Sequence, residues 1–311
     1  MDTYLGLDYG GTKLLIGEVD AAGAVLRSKR YPTGAGNQEE AVRIVTESLK
    51  DYKESIGFAG KLKASGIGIV GISDYTKGLW ISMNHEITGA PVPLPAMLQE
   101  ELGVPCGIDN DVRSATTAEL LLGIGRKSEH FIYLNIGTGL AAGFVSGGQI
   151  IRGANCNSGE IGHMVVDLSN QLSCVCGRQG CAENMVSGTG FTRQVKERDC
   201  RDLLNENGKA DVIKLFQRAD AGDVTCMEIT EYAADTLAGV IMNLVRVTDP
   251  DTVVLGGGVI SDGWLLEKVK ERLEPHTMRG VTAGVILSSF PIREIGLIGA
   301  ASLGMMKCGH F

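Results

Sequence analysis

Between Glu160 and Glu183 the chain gathers donors that bind a metal and carboxylates that bind hydroxyl groups. The stretch runs Glu160-Ile-Gly-His163 and, ten residues on, Cys174-Val-Cys176-Gly-Arg-Gln-Gly-Cys181-Ala-Glu183. One imidazole and three thiols form a tetrahedral set of borderline-soft donors, a combination that suits zinc. Three cysteines within eight positions, with Gly177 and Gly180 to let the backbone fold tightly, favour metal over disulfide chemistry. An ion held by His163, Cys174, Cys176 and Cys181 has no open position for water, so it reads as structural rather than catalytic. Fixing it would also fix Glu160 and Glu183, acceptor-only side chains that flank the ligands. The competing reading is three buried free thiols beside a hydrogen-bonded histidine. That is the default for any one of these residues alone, but not for the cluster.

A second set of residues suits phosphate. In Asp8-Tyr-Gly10-Gly11-Thr12-Lys13, the backbone amides of Gly10, Gly11 and Thr12 can face phosphate oxygens. Lys13 is at hand, and Asp8 can hold water on a magnesium ion. Taken alone, a plain β-hairpin is the more frequent explanation of the same residues. Gly137-Thr138-Gly139 repeats the theme, and Gly256-Gly257-Gly258 closes an apolar run with backbone able to approach a base or ribose. Asp109-Asn110-Asp111 ends another apolar run, where α/β sheets bind ligands, although Asp111 also reads as a helix N-cap.

The elements that must position these residues follow from periodicity. Strands are expected at 4–8, 13–20 and 24–31, forming an antiparallel meander, followed by a helix at 38–55 and a strand at 64–70 ending at Gly71. Residues 72–95 read as a long polar loop able to cover substrate, with Asp74, Asn84, His85 and three prolines. A helix at 95–102, a strand at 104–108 and a helix at 112–122 complete the first half. A second meander at 131–136, 140–145 and 149–152 again places a Gly-Thr turn between two strands. Helices at 187–198 and 224–247, strands at 252–255 and 281–287, and a last helix at 295–307 follow. Rossmann and Walker loops lead from strand into helix, so these strand-to-strand turns exclude both. The expected architecture is a duplicated βββαβαβα plan with two α/β domains around a cleft. Residues 1–112 would form a small domain joined by the last helix (295–311), and 113–294 a larger one carrying the zinc site.

Composition narrows the partners. The chain has 311 residues, 44% hydrophobic and 21% charged, with a net charge of −8. These values suit a globular protein and argue against a phosphate-backbone partner, without excluding a nucleotide held in a local cradle. No apolar N-terminal segment follows basic residues, and the helix near 233–247 carries Asp235, Asn243 and Arg246, so a cytoplasmic protein is expected.

Taken together, these residues resemble the ROK family (repressor, open reading frame, kinase) of the ribonuclease-H-like actin, hexokinase and Hsp70 fold group, over essentially the whole chain. Asp8-Tyr-Gly-Gly-Thr-Lys13 is similar to its first phosphate motif, with Tyr9 in place of isoleucine, and Gly137-Thr-Gly-Leu-Ala-Ala-Gly143 to its second. Gly159-Glu-Ile-Gly-His163 with Cys174-x-Cys-Gly-x-x-Gly-Cys-x-Glu183 matches its zinc signature, and Asp249-Pro250 through Gly258 its adenosine segment. The resemblance implies an ATP- and magnesium-dependent sugar kinase, commonly a homodimer or larger. In it Asn110 and Asp111 are the catalytic pair and Asp111 is the general base. It further implies that Glu160, Glu183 and His163 bind sugar hydroxyls, with Asn84 as a fourth and Gly71 at the pocket turn. Three positions depart from the pattern: Val70 replaces a proline, Arg113 replaces a second asparagine, and no Gly-Trp follows Asn84.

The leading expectation is therefore transfer of the ATP γ-phosphate to the primary hydroxyl of a hexose or N-acetylated amino sugar. A sugar-responsive transcriptional regulator of the same family would carry a helix-turn-helix ahead of this body, and here the first strand starts by Tyr4. A non-catalytic sugar-binding protein is the third reading, opposed by the presence of Asp8, Lys13, Asn110 and Asp111 together.

Overall fold

Alternating apolar runs and glycine turns build the same strand plan twice in the computed structural model, which describes residues 1–83, 89–170 and 172–309. The strands β1 (Asp2–Tyr9), β2 (Lys13–Asp20) and β3 (Val25–Pro32) lead into helix α1 (Gln38–Ser55). Next come β4 (Lys61–Ile69), β5 (Ile72–Asp74), β6 (Leu79–Ser82), α2 (Leu94–Leu102), β7 (Cys106–Asn110) and α3 (Asp111–Leu122). The plan restarts with β8 (Phe131–Ile136), β9 (Leu140–Ser146) and β10 (Gln149–Ile151). Helices α4 (Glu183–Val186), α5 (Gly188–Glu197), α6 (Val212–Asp220) and α7 (Val224–Thr248) follow, then β11 (Thr252–Gly256) and α8 (Trp264–Lys270). The chain ends through α9 (Pro275–Met278), β12 (Gly284–Leu287) and α10 (Ile295–Lys307).

The two five-stranded sheets run β3-β2-β1-β4-β7 and β10-β9-β8-β11-β12. In each, the first three strands pair antiparallel and the next two pair parallel. This is the duplicated ribonuclease-H-like α/β plan that the paired meanders and their strand-to-strand turns predict. Helices α1 and α10 run over the residues expected of them. Helix α1 is capped by Asn37, whose side chain accepts from the Glu40 amide, and it buries Ala41, Val45, Leu49 and Tyr52 on one face.

The chain divides into two compact units. One comprises Met1–Lys127, Arg152–Ser158 and Arg293–Phe311; the other comprises Ser128–Ile151 and Gly159–Ile292. Helix α3 lies wholly in the first unit because it packs against α10, so the division falls after Lys127 and not at 112.

Within the first unit a row of glycines decides how close α10 comes to the sheet. Gly17, Gly6, Gly66 and Gly107 are register partners on β2, β1, β4 and β7. A Cβ on Gly6 would collide with the Leu297 carbonyl, one on Gly66 with the Ala300 carbonyl, and one on Gly107 would stand 2.8 Å from the Leu303 carbonyl. The backbone of α10 therefore lies directly on the strands. Glycine costs a helix or strand about 0.5–1 kcal/mol relative to alanine, a loss offset here by the contact that it permits.

Residues 72–95 are not one continuous loop. Strands β5 and β6 pair antiparallel, and Trp80, with no solvent exposure, anchors the hairpin. The Trp80 indole nitrogen donates to the Val70 and Ser82 carbonyls at 3.2 Å, and its backbone pairs with Val92. Burying one large aromatic, worth on the order of 3 kcal/mol, holds strands too short to show a clear alternation in sequence.

In the second unit, α7 buries Ile229, Ala233, Leu237, Val240, Ile241 and Leu244 along one stripe and stops at Asp249, φ 46°, just before Pro250. Ser187 caps α5 by accepting from the Gly190 amide at 3.0 Å, and the chain before it already forms α4. Among the described residues no helix is long and apolar enough to cross a membrane.

Candidate active site

Asp8 ends the apolar run of β1, and Asp111 opens α3 directly after β7; both strands point their C-terminal ends the same way. Their charges interact. Burial and then Asp111 push the Asp8 carboxyl from 3.8 up to about 6, while Lys13 pulls it down. Asp8 is partly buried and Asp111 exposed, and two interacting carboxylates call for a cation or a proton, a condition that a magnesium ion would meet. The adjacent turn closes through the Gly10 amide, which donates to the Lys13 carbonyl at 2.9 Å. A Cβ on Gly11 would meet nothing within 4 Å. The fold itself thus does not demand glycine there, and the open face suits close approach of a ligand.

The N-cap of α3 is Asn110 and not Asp111. Asn110 Oδ1 accepts from the Arg113 amide at 2.7 Å, while Asp111 is the first helical residue, with Oδ1 near the Val112 amide at 2.9 Å. Sequence reasoning noted Arg113 as a departure but missed its partner. Arg113 Nε donates to Asp109 Oδ1 at 2.6 Å in the protein interior. The i, i+4 spacing of Asp109 and Arg113 at a strand-to-helix junction was the available signal.

In the second unit, the turn 137–139 carries its own carboxylate. Glu183, first residue of α4, accepts from the Leu140 amide through Oε2 at 3.1 Å, and a Cβ on Gly139 would stand 2.6 Å from that oxygen. Thr138 is tied from behind, its carbonyl accepting from the Thr189 amide and hydroxyl at 3.0 and 2.8 Å. The structure thereby brings Glu183 together with Gly137, Thr138 and Gly139, a link that spacing did not reveal. At the end of β11, Gly256 and Gly257 back onto Tyr133 and the Ile136 carbonyl, and the nearest atom to a Cβ on Gly258 is 3.8 Å away.

The metal-type donors converge as their spacing implies. Ligand atoms of His163, Cys174, Cys176 and Cys181 all lie within 4.8 Å of one another. Cys174 Sγ is 3.3 Å from His163 Nδ1, and Cys176 Sγ is 3.6 Å from Cys181 Sγ. A tetrahedron with zinc–sulfur bonds near 2.3 Å has edges of roughly 3.8 Å, so the donor set fits zinc; a disulfide would need about 2.05 Å. The Arg178 amide and side chain draw the Cys176 thiol down to about 6, whereas burial pushes Cys181 up to about 12. Ionising all three thiols together calls for a cation among them. The other ring nitrogen, His163 Nε2, lies 4.0 Å from Glu160 Oε2. His163 thus joins the metal-type cluster to Glu160.

Gly71 has φ +92°, and a Cβ there would collide with the Ser82 carbonyl, so its glycine serves entry into the β5–β6 hairpin. Asn84 lies outside the described residues.

The family model described as ROK family matches residues 4–306. A glucokinase of Halalkalibacterium halodurans is 29% identical over 307 residues, covering 94% of this chain and 91% of that protein. An N-acetylmannosamine kinase of Escherichia coli is 30% identical over 305 residues, covering 97% of this chain and 98% of that protein. The crystal structure of a ROK family glucokinase from Streptomyces griseus, in complex with glucose and AMPPNP, matches with a TM-score of 0.77 at 25% identity. That match covers 98% of this chain and 99% of the other.

Proposed function

The chain belongs to the ROK family and is an ATP-dependent sugar kinase, and from that premise we propose that Asp111 is the general base that delivers a sugar hydroxyl to the γ-phosphate. The substrate is a hexose or an N-acetylated amino sugar, phosphorylated at its primary hydroxyl. The observation that carries this reading is the coupled carboxylate pair Asp8 and Asp111 beside the open turn at Gly10–Thr12.

In this reading Asp111 accepts the proton as the sugar oxygen bonds to the γ-phosphorus and the bond to ADP breaks. The proton then passes to solvent. Such a transfer needs positioning and electrostatic support more than covalent chemistry. Amides of Gly10, Gly11, Thr12, Gly137, Thr138 and Gly139 cradle phosphate oxygens, Lys13 adds a positive charge, and Gly256, Gly257 and Gly258 face the adenosine. Asp8 would help hold magnesium, which would offset phosphate charge. Glu160, Glu183, His163 and Asn110 receive or donate hydrogen bonds to the sugar, with Gly71 and Asn84 at its edge. A carboxylate accepts from two neighbouring hydroxyls, so a wrong epimer leaves a buried acceptor unpaired and is rejected. His163, Cys174, Cys176 and Cys181 would hold zinc, which would fix the ring that faces Glu160. The protein works in the cytoplasm as a homodimer or larger assembly.

Purified protein with magnesium-ATP, tested on a panel of aldoses, ketoses and acetylated aminosugars, should phosphorylate one class well. Asp111→Asn should lower transfer at least about a thousandfold while calorimetry still detects sugar binding. Transfer to no sugar in the panel, or an Asp111→Asn variant with unchanged rate, would overturn the reading.

A further inference from the structure

A buried cluster of charges in the first unit lies two residues from the assigned base. Asp109, in β7, has no solvent exposure, and Arg113, one turn into α3, is 1% exposed. Arg113 Nε donates to Asp109 Oδ1 at 2.6 Å and Arg152 Nε to Oδ2 at 2.8 Å. Ser73 Oγ, at 3.2 Å, and the Asn110 amide, at 2.9 Å, also donate to Oδ1. One carboxylate would be balanced by one guanidinium, so charge balance does not account for two.

What sets Arg113 apart is where the rest of its fork goes. Nη1 donates to the Ser158 carbonyl at 3.2 Å and Nη2 to the Cys156 carbonyl at 3.1 Å. Both carbonyls belong to Arg152–Ser158, a stretch that packs with the first unit although the residues before and after it belong to the second. Within it Cys156 holds φ 55°, a left-handed conformation that non-glycine residues rarely adopt. Arg152 begins the same stretch, its guanidinium 3.9 Å from the centre of the Tyr75 ring. A planar guanidinium reaches one carboxylate and two carbonyls at once, which neither lysine nor asparagine does.

We propose that Arg113 is a positioning residue that anchors Arg152–Ser158 to Asp109, so that the chain enters Gly159-Glu160 from a fixed start. This rests on Asp111 acting as base and Glu160 as a hydroxyl acceptor. The benefit is preorganisation: the anchor is formed before sugar arrives, and binding then spends less on ordering the segment.

Two variants test it. Arg113→Lys keeps the charge beside Asp109 but cannot span both carbonyls. The double variant D109N/R113Q replaces the buried Asp109–Arg113 pair by amides that can hydrogen-bond each other, and the guanidinium it leaves without a carboxylate is that of Arg152, which is 18% exposed and reaches solvent. Hydrogen–deuterium exchange of amides 153–158 should speed up about tenfold or more in both variants. For whichever of D-glucose, N-acetyl-D-glucosamine and N-acetyl-D-mannosamine is phosphorylated best, KM should rise about tenfold, more than kcat falls. The thermal midpoint of the double variant should stay within about 5 °C of the wild type. Wild-type exchange and KM in either variant would overturn the proposal, as would faster exchange with KM unchanged. The exchange readout needs neither sugar nor catalysis. An active Asp111→Asn protein would therefore remove the base assignment and leave the anchor itself standing or falling on its own data.

Discussion

A Cβ on Gly296 would stand 2.5 Å from Oδ2 of Asp8, so the first turn of α10 presses its backbone against that carboxylate. The amides at a helix N-terminus favour nearby negative charge, and Gly296 is the second residue of α10. Gly296→Ala should displace the Asp8 side chain while gaining up to about 1 kcal/mol of helix propensity. We expect near-wild-type thermal stability with kcat/KM reduced about a hundredfold. Steady-state kinetics and a melting curve on the same preparation check both halves.

The raised pKa of Asp8 has a sign that can be measured. Its folded value, about 6, lies above the ordinary 3.8, so the fold binds this proton more tightly than the unfolded chain does. Relative stability is therefore fully present below pH 3.8 and is lost as pH rises through 6. Asp8→Asn should accordingly raise stability at pH 8, by at most about 3 kcal/mol, and change it little near pH 4. The same variant should lose phosphotransfer. Denaturant midpoints at the two pH values decide it, and in the wild type kcat/KM should fall below about pH 6.

Cys181 has no solvent exposure and stands 3.6 Å from Cys176 Sγ. Cys181→Ser should drop bound zinc from one per chain to near none by elemental analysis. Losing a structural ion also releases His163, whose Nε2 faces Glu160 at 4.0 Å. Sugar affinity should weaken about tenfold or more, alongside a lower melting temperature. Prolonged chelation of the wild type should reproduce both effects.

The glycine row predicts a stability effect far from any chemistry. A Cβ on Gly66 would collide with the Ala300 carbonyl, backbone against backbone, where no side chain can swing aside. Gly66→Ala should cost roughly 3 kcal/mol in urea unfolding, whereas Gly103→Ala, a helix C-cap with open space and φ 70°, should cost only about 1 kcal/mol.

Much of the fold was legible along the chain. Helices α1 and α10, both meanders and the strand-to-helix junction at Asn110 and Asp111 follow from periodicity and punctuation, because an amphipathic stripe or a Gly-Thr turn is written in neighbouring residues. The hairpin of β5 and β6 was hidden: three and four residues are too few to display an alternation, and its stability comes from one tryptophan meeting Val70, Ser82 and Val92. Arg113 was visible as a departure, yet a guanidinium in a sequence reads as solvated charge until its acceptors are known.

The identities of the reactive groups, and the chemistry they favour, were carried by residue types at short spacing: three thiols and an imidazole, two glycine turns, an Asn-Asp pair. Which groups touch was settled by folding alone. Gly17, Gly6, Gly66 and Gly107 are far apart in the chain and become one row only through strand register. Asp8 acquires its proton affinity from burial and from a carboxylate more than a hundred positions away. Local pattern sets what each segment can form, whereas contact between distant segments depends on register and packing, which no short window of sequence records.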